Sequence, residues 1–516
     1  MKSTLVMLLM ICCLLSLAGC LTYGPLKTEK QITGYMVENR PTKEEVHAMA
    51  DANTKILTTR YAEEAQLRST PFPAVCLALS GGGIRSAAYS AGALKAITEE
   101  KQQLDIISAV SGGSYAASWY HVNMAHALRN GMEPISIFSD DYRYRFTRRE
   151  FLDSTKSLVQ IFIRIPFSIV QGFLQNVFAG EMTQSWYADF YAEQINDMFY
   201  EVSRNPSMPN VGDDIKRFGL PNLIINATIQ GTYDKESLPL ASRIFEFTPF
   251  RYGSDGYGYL ESTNPIPYPH ECCPLQQLKS IVGVSGAAPD VELEANGTLY
   301  WIRRYFAATL GMGVTSYDED RHKDIFKGKY WFLSDGGHSE NLGAFSLIRR
   351  RCSKILIVDA EWDSTYKFEA YTKLKEALSK HKITFAVPHI EDNQKGTGEW
   401  KFPVMEGTVS TVPVYSGQGE VKVVDESVLN VVYFKLSLGT CWPNKMLGCR
   451  EDVLQYPKNL TPNLYHCMDF PWFWHWPGCF PQIPTSDQGI SSQILESLFK
   501  LGYIHVKTYL TMARAS

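Results

Sequence analysis

Apolar residues along this chain gather in short runs separated by longer mixed stretches. Two such runs, Ala74-Val75-Cys76-Leu77-Ala78 and Leu104-Asp105-Ile106-Ile107-Ser108-Ala109-Val110, each lead through glycines into a segment of helical character, Ala87 to Glu100 and Tyr115 to Leu128. Short apolar runs bounded by turn residues read as buried strands of a parallel sheet. Further runs of this kind are Leu223 to Thr228, Tyr330 to Ser334, Ile355 to Asp359, Ile383 to Val387 and Val431 to Leu436. Strands alternating with helical stretches predict an α/β chain with a mainly parallel sheet covered on both faces. Ligands of such sheets sit at the carboxyl ends of strands. Ser80 to Gly83, Ser111, Asp335 and Asp359 each follow a strand directly, so all can share one edge.

The start of the chain follows a different pattern. Met1-Lys2 precedes an apolar run from Leu5 to Leu17 that closes in Leu17-Ala18-Gly19-Cys20. A basic start, a run too short to span a bilayer and small residues at its end make a signal-peptide layout. Cys directly after Leu-Ala-Gly resembles the bacterial lipobox, in which Cys20 becomes the lipid-modified N-terminus; the alternative is an ordinary secretory signal. Leu21 to about Pro41 is polar and aperiodic, a tether. Thr42-Lys43-Glu44-Glu45 fits a capping box opening a helix to about Ala65.

Composition narrows the class. With 45% hydrophobic and 20% charged residues and a net charge of −4, the chain is globular and offers nothing for a nucleic-acid partner. Between Tyr142 and Gly180 a basic cluster (Arg143, Arg145, Arg148, Arg149) precedes an apolar run, Leu158 to Val170, interrupted by Arg164 and Pro166. This reads as a buried helix pair or as a lid that touches lipid. Phe470-Pro471-Trp472-Phe473-Trp474-His475-Trp476-Pro477 is either a membrane contact or a pocket-lining loop. Of eleven cysteines, Cys76 and Cys352 lie in or beside buried strands and read as packed thiols. Cys272, Cys273, Cys441, Cys449, Cys467 and Cys479 lie in loop-like sequence, which in an exported chain suggests disulfides, the last four above all.

The chemistry centres on Leu79-Ser80-Gly81-Gly82-Gly83-Ile84-Arg85-Ser86. A glycine turn between strand and helix lets backbone N–H groups converge on negative charge, which serves phosphate binding or oxyanion stabilisation. The Gly-Lys-Ser/Thr ending of a phosphate loop and the G-x-G-x-x-G spacing of a dinucleotide loop are both absent. The second turn, Ser111-Gly112-Gly113-Ser114, fits a nucleophile elbow, which needs small residues two before and two after the nucleophile. Ala109 and Gly113 satisfy this for Ser111, and Gly112 and Ala116 for Ser114; position directly after the strand favours Ser111. Gly283-Val284-Ser285-Gly286-Ala287 matches G-x-S-x-G literally, but Pro289 follows, so Ser285 reads as a packing position. Ser334-Asp335-Gly336-Gly337-His338 supplies a base: Asp335 directly, in a dyad, or His338 in a rival triad. Asp359 is a rival carboxylate.

These residues resemble a known family. Leu79 to Arg85 looks like the S-G-G-G-x-R motif of the patatin and cytosolic phospholipase A superfamily, and Val110 to Tyr115 resembles its nucleophile motif. Asp335-Gly336-Gly337 matches its D-G-G motif, Phe245-Glu246-Phe247-Thr248-Pro249 an F-E-F-T/S-P segment, and Ile281 to Pro289 an S-x-A-x-P segment. The stretch from Phe480-Pro481 to Gly502 is similar to bacterial patatin-like sequences. Ala109 replaces the first elbow glycine, and Ser86 replaces the small residue after the arginine.

The resemblance implies a three-layer α/β/α patatin-like fold with a helical insertion, and a serine lipid acyl hydrolase of phospholipase A or lysophospholipase type. Ser111 would be the nucleophile and Asp335 its base. Gly82 and Gly83 N–H groups would hold the oxyanion, with Gly81 shaping the turn, and Arg85 would meet the substrate phosphate. No cofactor or metal is implied; the partners are a phospholipid or lysophospholipid and a membrane surface. The alternatives are an esterase or acyltransferase on another lipid, or a catalytically silent anchored scaffold. The expected layout is a lipoprotein signal peptide over 1–19, a lipidated tether and leading helix over 20–70, and a catalytic domain over 71–516. That domain would hold an insertion at about 140–215 and a Cys-containing region at about 440–480, on a chain anchored in the cell envelope.

Overall fold

A computed structural model describes Glu64, Gln66, Leu67 and residues 72–139, 186–200, 206–230, 239–255, 258–263, 277–287, 312–315, 330–381, 383–393, 400, 402–410, 414–415, 421–422, 428–439, 480–483 and 492–515. The signal segment, Cys20, the apolar run from Leu158 to Val170, the Trp-rich segment and the six loop cysteines lie outside these residues, as does all of the expected leading helix except Glu64, which is helical.

The chain opens with β1 (Val75–Leu79), α1 (Gly83–Glu99), β2 (Ile106–Val110) and α2 (Gly112–Arg129). Two helices, α3 (Trp186–Phe199) and α4 (Met208–Phe218), lead into β3 (Asn222–Gln230). Next come α5 (Leu240–Arg243), β4 (Ile244–Phe247), β5 (Arg251–Ser254), β6 (Gly258–Glu261), α6 (Leu278–Ser285), β7 (Met312–Thr315) and β8 (Tyr330–Asp335). The remainder is α7 (Phe345–Arg349), β9 (Lys354–Asp359), α8 (Glu369–Ser379), β10 (Thr384–Ala386), α9 (Pro388–Asn393), β11 (Val404–Ser410), β12 (Val414–Tyr415), β13 (Val421–Lys422), β14 (Leu429–Lys435) and α10 (Ser492–Ala515).

Five strands, in the order β14-β9-β1-β2-β3, make a parallel centre. Antiparallel wings extend it on both sides, through β11 and β10 beyond β14 and through β4, β5 and β6 beyond β3. The apolar runs thus land on strands, but two of them, Ile383 to Val387 and Tyr330 to Ser334, become the antiparallel β10 and β8. Strand alternation sorts the core into two layers. Leu77, Leu79, Ile107, Ala109, Leu223 and Ile225 face α1, α2 and α10 in one cluster. Cys76, Ala78, Ile106, Ile224, Ile355 and Ile357 face α7 and α8 in the other. The result is a three-layer α/β/α fold.

α1 is buried on nearly every side because it lies between the sheet and α10. Ala87, Ala88, Ala91, Ala93 and Ala96 favour helix and let neighbours approach. At the crossing, a side chain on Gly92 would overlap the Phe499 carbonyl, and one on Gly502 the Tyr89 carbonyl. Tyr89 Oη meets His505 Nδ1 at 2.7 Å inside this interface, and burial pushes the imidazole down to about 3.

One expectation is corrected. Cys76 and Cys352 are not packed thiols but a disulfide, with Cα atoms 6.1 Å apart. Cys76 faces the α7/α8 layer from β1, and Cys352 lies two residues before β9, the parallel neighbour of β1, on the same α7/α8 side, so the two sulfurs meet beside the start of the β1–β9 pair. Their separation of 276 residues hid the pairing.

Candidate active site

The glycine turn leaves β1 at Ser80. Ser80 N–H donates to Val358 O and Gly81 N–H to Asn341 O at 2.9 Å, while Ser80 Oγ accepts Ala360 N–H at 2.8 Å. The turn is therefore pinned to the end of β9 and to the loop after β8. Gly82 has φ 141° and Gly83 φ 62°, so the turn requires backbone that side-chain-bearing residues rarely adopt. A Cβ on Gly82 would lie 2.5 Å from Ala360 O. Gly82 caps α1 and Gly83 begins it; no acceptor among the described residues takes either N–H, which leaves both for a ligand at the helix start.

Ser111 stands between β2 and α2 with φ 49° and ψ −122°. A non-glycine residue holds such a conformation only where its surroundings over-determine it, as at a nucleophile elbow. The small-neighbour requirement is visible as atoms: a Cβ on Gly113 would lie 2.5 Å from Leu79 O. Ser114 is fully buried and donates its Oγ to Ser111 O, so Ser111, not Ser114, faces the cavity described below.

Asp335 ends β8 and caps the 3₁₀ turn Gly336–His338, its Oδ1 accepting Gly337 N–H at 2.7 Å. It arrives from an unexpected direction. β2 runs parallel to β3 and ends with Val110 opposite Asn226. β8 runs antiparallel along the same side of β3, β4 holding the other, and ends with Asp335 opposite Ala227. The carboxyl ends of β2 and β8 therefore meet head-on at the Asn226–Ala227 step. The sequence suggested one shared edge of parallel strands; the register instead butts two strands together.

Ser111, Asp335 and Gly82 line one cavity of about 620 Å³, with Gly337, His338, Glu340, Asn341, Arg243, Glu361, Trp362 and the α8 face bearing Lys373, Leu374 and Ala377. No hydrogen bond joins Ser111 to Asp335 in this structure; catalytic hydrogen bonds are commonly long before substrate arrives. His338 Nδ1 pairs with Ser334 Oγ at 3.0 Å. Burial pushes the Glu340 carboxyl up to about 7 against the pull of the Phe345 and Leu342 N–H groups it accepts. Burial likewise raises Glu361 to about 7, Lys435 pulling down and Asp359 pushing up. Among the described residues no group of three or more His, Cys, Asp or Glu could hold a metal ion.

Residues 77–190 match the family model described as patatin-like phospholipase, a span that carries the glycine turn and Ser111. Over that span the chain is similar to the patatin-like phospholipase family. Human GIVD cytosolic phospholipase A2 is similar in structure, with a TM-score of 0.55 at 13% identity over 92% of this chain and 66% of that chain. The same human protein in complex with methyl gamma-linolenyl fluorophosphonate inhibitor and terbium chloride gives 0.52 at 14% identity, over 92% of this chain and 63% of that one. The chain thus spans a little under two thirds of the length of those structures, and the likeness is one of fold. No curated protein matches the chain.

The other motifs that carry the resemblance find different places. Arg85, expected at a substrate phosphate, is fully buried; its Nε and Nη2 donate to Ala360 O at 3.1 and 2.9 Å. Burial brings the guanidinium down to about 10, with Asp359 and Glu361 acting the other way. Asp359 is a buried anchor, accepting Lys435 Nζ at 2.8 Å and Tyr433 Oη at 2.6 Å. Glu246 of the F-E-F-T-P segment pairs with Arg350 Nη1 at 2.9 Å, and Arg350 Nε also reaches Glu64 at 2.7 Å. Ser285 is buried, accepts Ser111 N–H at 2.9 Å and donates to Asn226 O at 2.7 Å. Sequence reasoning missed Asn226, which donates to Ser108 Oγ and Ala109 O and accepts from Ser346 Oγ. A lone Asn within an apolar strand was the available signal, because a buried amide needs partners. Asn341 and the α8 wall carried no signal of that kind.

Proposed function

We propose that the protein is a serine lipid acyl hydrolase that uses a Ser111–Asp335 dyad on phospholipids or lysophospholipids. The observation that carries this reading is the head-on meeting of β2 and β8, which sets a strained serine and a carboxylate around one cavity beside two unclaimed backbone N–H groups. In the first half-reaction Ser111 Oγ attacks the ester carbonyl carbon and its proton passes to Asp335. The tetrahedral oxyanion sits on Gly82 and Gly83 N–H. Collapse breaks the ester C–O bond, and the leaving alkoxide takes the proton from Asp335. Water then attacks the acyl-enzyme, gives its proton to Asp335, and the fatty acid leaves as Ser111 regains that proton.

The match of residues 77–190 to the patatin-like phospholipase model supports the lipid acyl hydrolase class, and the fluorophosphonate named with the human structure is a reagent of the matching kind. The buried disulfide supports export to an oxidising compartment. With Leu17-Ala18-Gly19-Cys20 it favours a lipid-anchored protein working at the membrane that holds its substrate.

The test is a fluorophosphonate probe with peptide mapping, followed by a panel of phospholipids and lysophospholipids read by mass spectrometry. Wild type takes the label on Ser111, and S111A takes none. D335N loses roughly 10²–10⁴-fold in rate. H338A keeps substantial activity; a loss as deep as that of S111A would replace the dyad with a triad. Label on Ser114 in place of Ser111 would move the nucleophile. C20S releases the protein from membranes; unchanged, detergent-dependent attachment would refute the anchor.

A further inference from the structure

The serine of Gly283-Val284-Ser285-Gly286-Ala287 imitates a nucleophile in sequence and is not one in the structure, yet it touches the nucleophile. Its hydroxyl is fully buried at the end of α6, between two backbone groups from other elements. It accepts the N–H of Ser111 at 2.9 Å and donates to the carbonyl of Asn226 at 2.7 Å. A hydroxyl can do both at once, which suits it to link a lone donor to a lone acceptor.

Both groups need such a partner. Ser111 N–H lies just past the last residue of β2, where the sheet ladder no longer supplies an acceptor. Asn226 O lies at the step where β2 gives way to β8 on the flank of β3. The conformation of Ser111, φ 49° and ψ −122°, persists only if the peptide groups around it are held. Its carbonyl is held by Ser114 N–H and Oγ. Ser114 belongs to α2, however, and moves with the elbow. Ser285 comes from α6 and is tied to the strand along which Asp335 arrives.

We propose that Ser285 is a positioning residue of the hydrolase, fixing the elbow of Ser111 against β3 and thereby setting the Ser111-to-Asp335 geometry. The proposal rests on the reading of Ser111 as nucleophile. Ser285 touches no substrate and passes no proton; its contribution is to the orientation of Ser111 Oγ, where a displacement of about 1 Å costs on the order of 10²-fold.

The test compares wild type with S285A, S285T and S285C in full-length protein. Measured are kcat and KM on a soluble ester, the second-order rate of fluorophosphonate labelling, deuterium exchange at the Ser111 amide, and the thermal midpoint, with rates normalised to folded protein. S285A is expected to lose about 10–10²-fold in kcat with KM unchanged, to label more slowly by a similar factor, and to exchange the Ser111 amide faster. S285T, which keeps the hydroxyl, restores most of the rate; S285C, a poor acceptor of the same shape, falls between. Wild-type kcat and labelling in S285A, or in S285C where S285A does not fold, overturns the proposal. So does a loss that vanishes once rates are expressed per folded molecule. Wild type that takes no label on Ser111 instead overturns the underlying reading of the nucleophile.

Discussion

Under the proposed function, Arg85 separates two ways in which an arginine can serve a lipid hydrolase. Its Nε and Nη2 donate to Ala360 O, the atom a side chain on Gly82 would strike, so the guanidinium braces the glycine turn from behind. R85Q is expected to slow hydrolysis of phospholipid and of uncharged glyceride ester alike, by up to the roughly 10²–10³-fold cost of losing an oxyanion donor. Parallel kinetics on the two substrate classes decide the matter; a loss confined to phospholipid would return Arg85 to the phosphate. Glu246 is a residue of the same bracing kind. Burial works to raise its carboxyl, but Arg350 and Arg349 beside it hold it at about 2, below its ordinary 4.5. A depressed carboxylate stabilises the fold above its ordinary value, and this stability is lost as pH falls from about 4.5 toward 2. E246Q leaves Arg350 partly uncompensated in the interior and should cost about 3–5 kcal/mol at neutral pH, measured by denaturant unfolding. The gap to wild type should narrow on acidification below pH 4.5.

At the scale of elements, the close crossing of α1 and α10 depends on two positions without side chains. G502A would push its methyl into the Tyr89 carbonyl, and overpacking of this kind costs about 1–3 kcal/mol. The expected outcome is a lower thermal midpoint with unchanged labelling of Ser111, since α10 lies behind α1 and away from the cavity. The helix illustrates what sequence could and could not convey. The strands carrying Ser80, Ser111, Asp335 and Asp359 were legible because a doubly covered strand must be apolar throughout, and their motifs pointed to Gly82, Ser111 and Asp335, which line one cavity. Directions and partners were not legible. Nothing local in Tyr330 to Ser334 distinguishes an antiparallel strand from a parallel one, because register is a property of the neighbour. The short wing strands β4, β5 and β6 lack a long apolar run. The disulfide was hidden because its cysteines meet only through the pairing of β1 with β9. Arg85 and Ser285 were visible as motif residues, but their work is done through backbone groups that sequence does not display.

For the molecule as a whole, the disulfide and a buried histidine set the conditions under which the fold holds. Removing the bridge by C76A/C352A should cost about 2–4 kcal/mol and lower the thermal midpoint; non-reducing mass mapping of wild type should recover the Cys76–Cys352 peptide pair. His505 adds a pH term. Its folded value of about 3 lies below its ordinary 6.5, so the folded state excludes a proton that the unfolded chain binds. Stability therefore falls as pH drops through 6.5, by about 1.4 kcal/mol per unit, until the folded group itself protonates near 3. Against H505Q, which retains an acceptor for Tyr89, wild type should lose ground steadily below pH 6.5 in unfolding titrations. The abutment of β2 and β8 on β3 has a consequence for the order in which the protein is made. A ribosome delivers the serine long before the aspartate, and the early strands can pair without the later one. A partly synthesised or truncated chain ending before β8 carries Ser111 and the glycine turn, the proposed nucleophile and oxyanion site, but not Asp335, the proposed base. On the proposed function, newborn chains would be harmless to the lipids around them until the antiparallel strand docks, and the topology would act as a built-in delay on the activity.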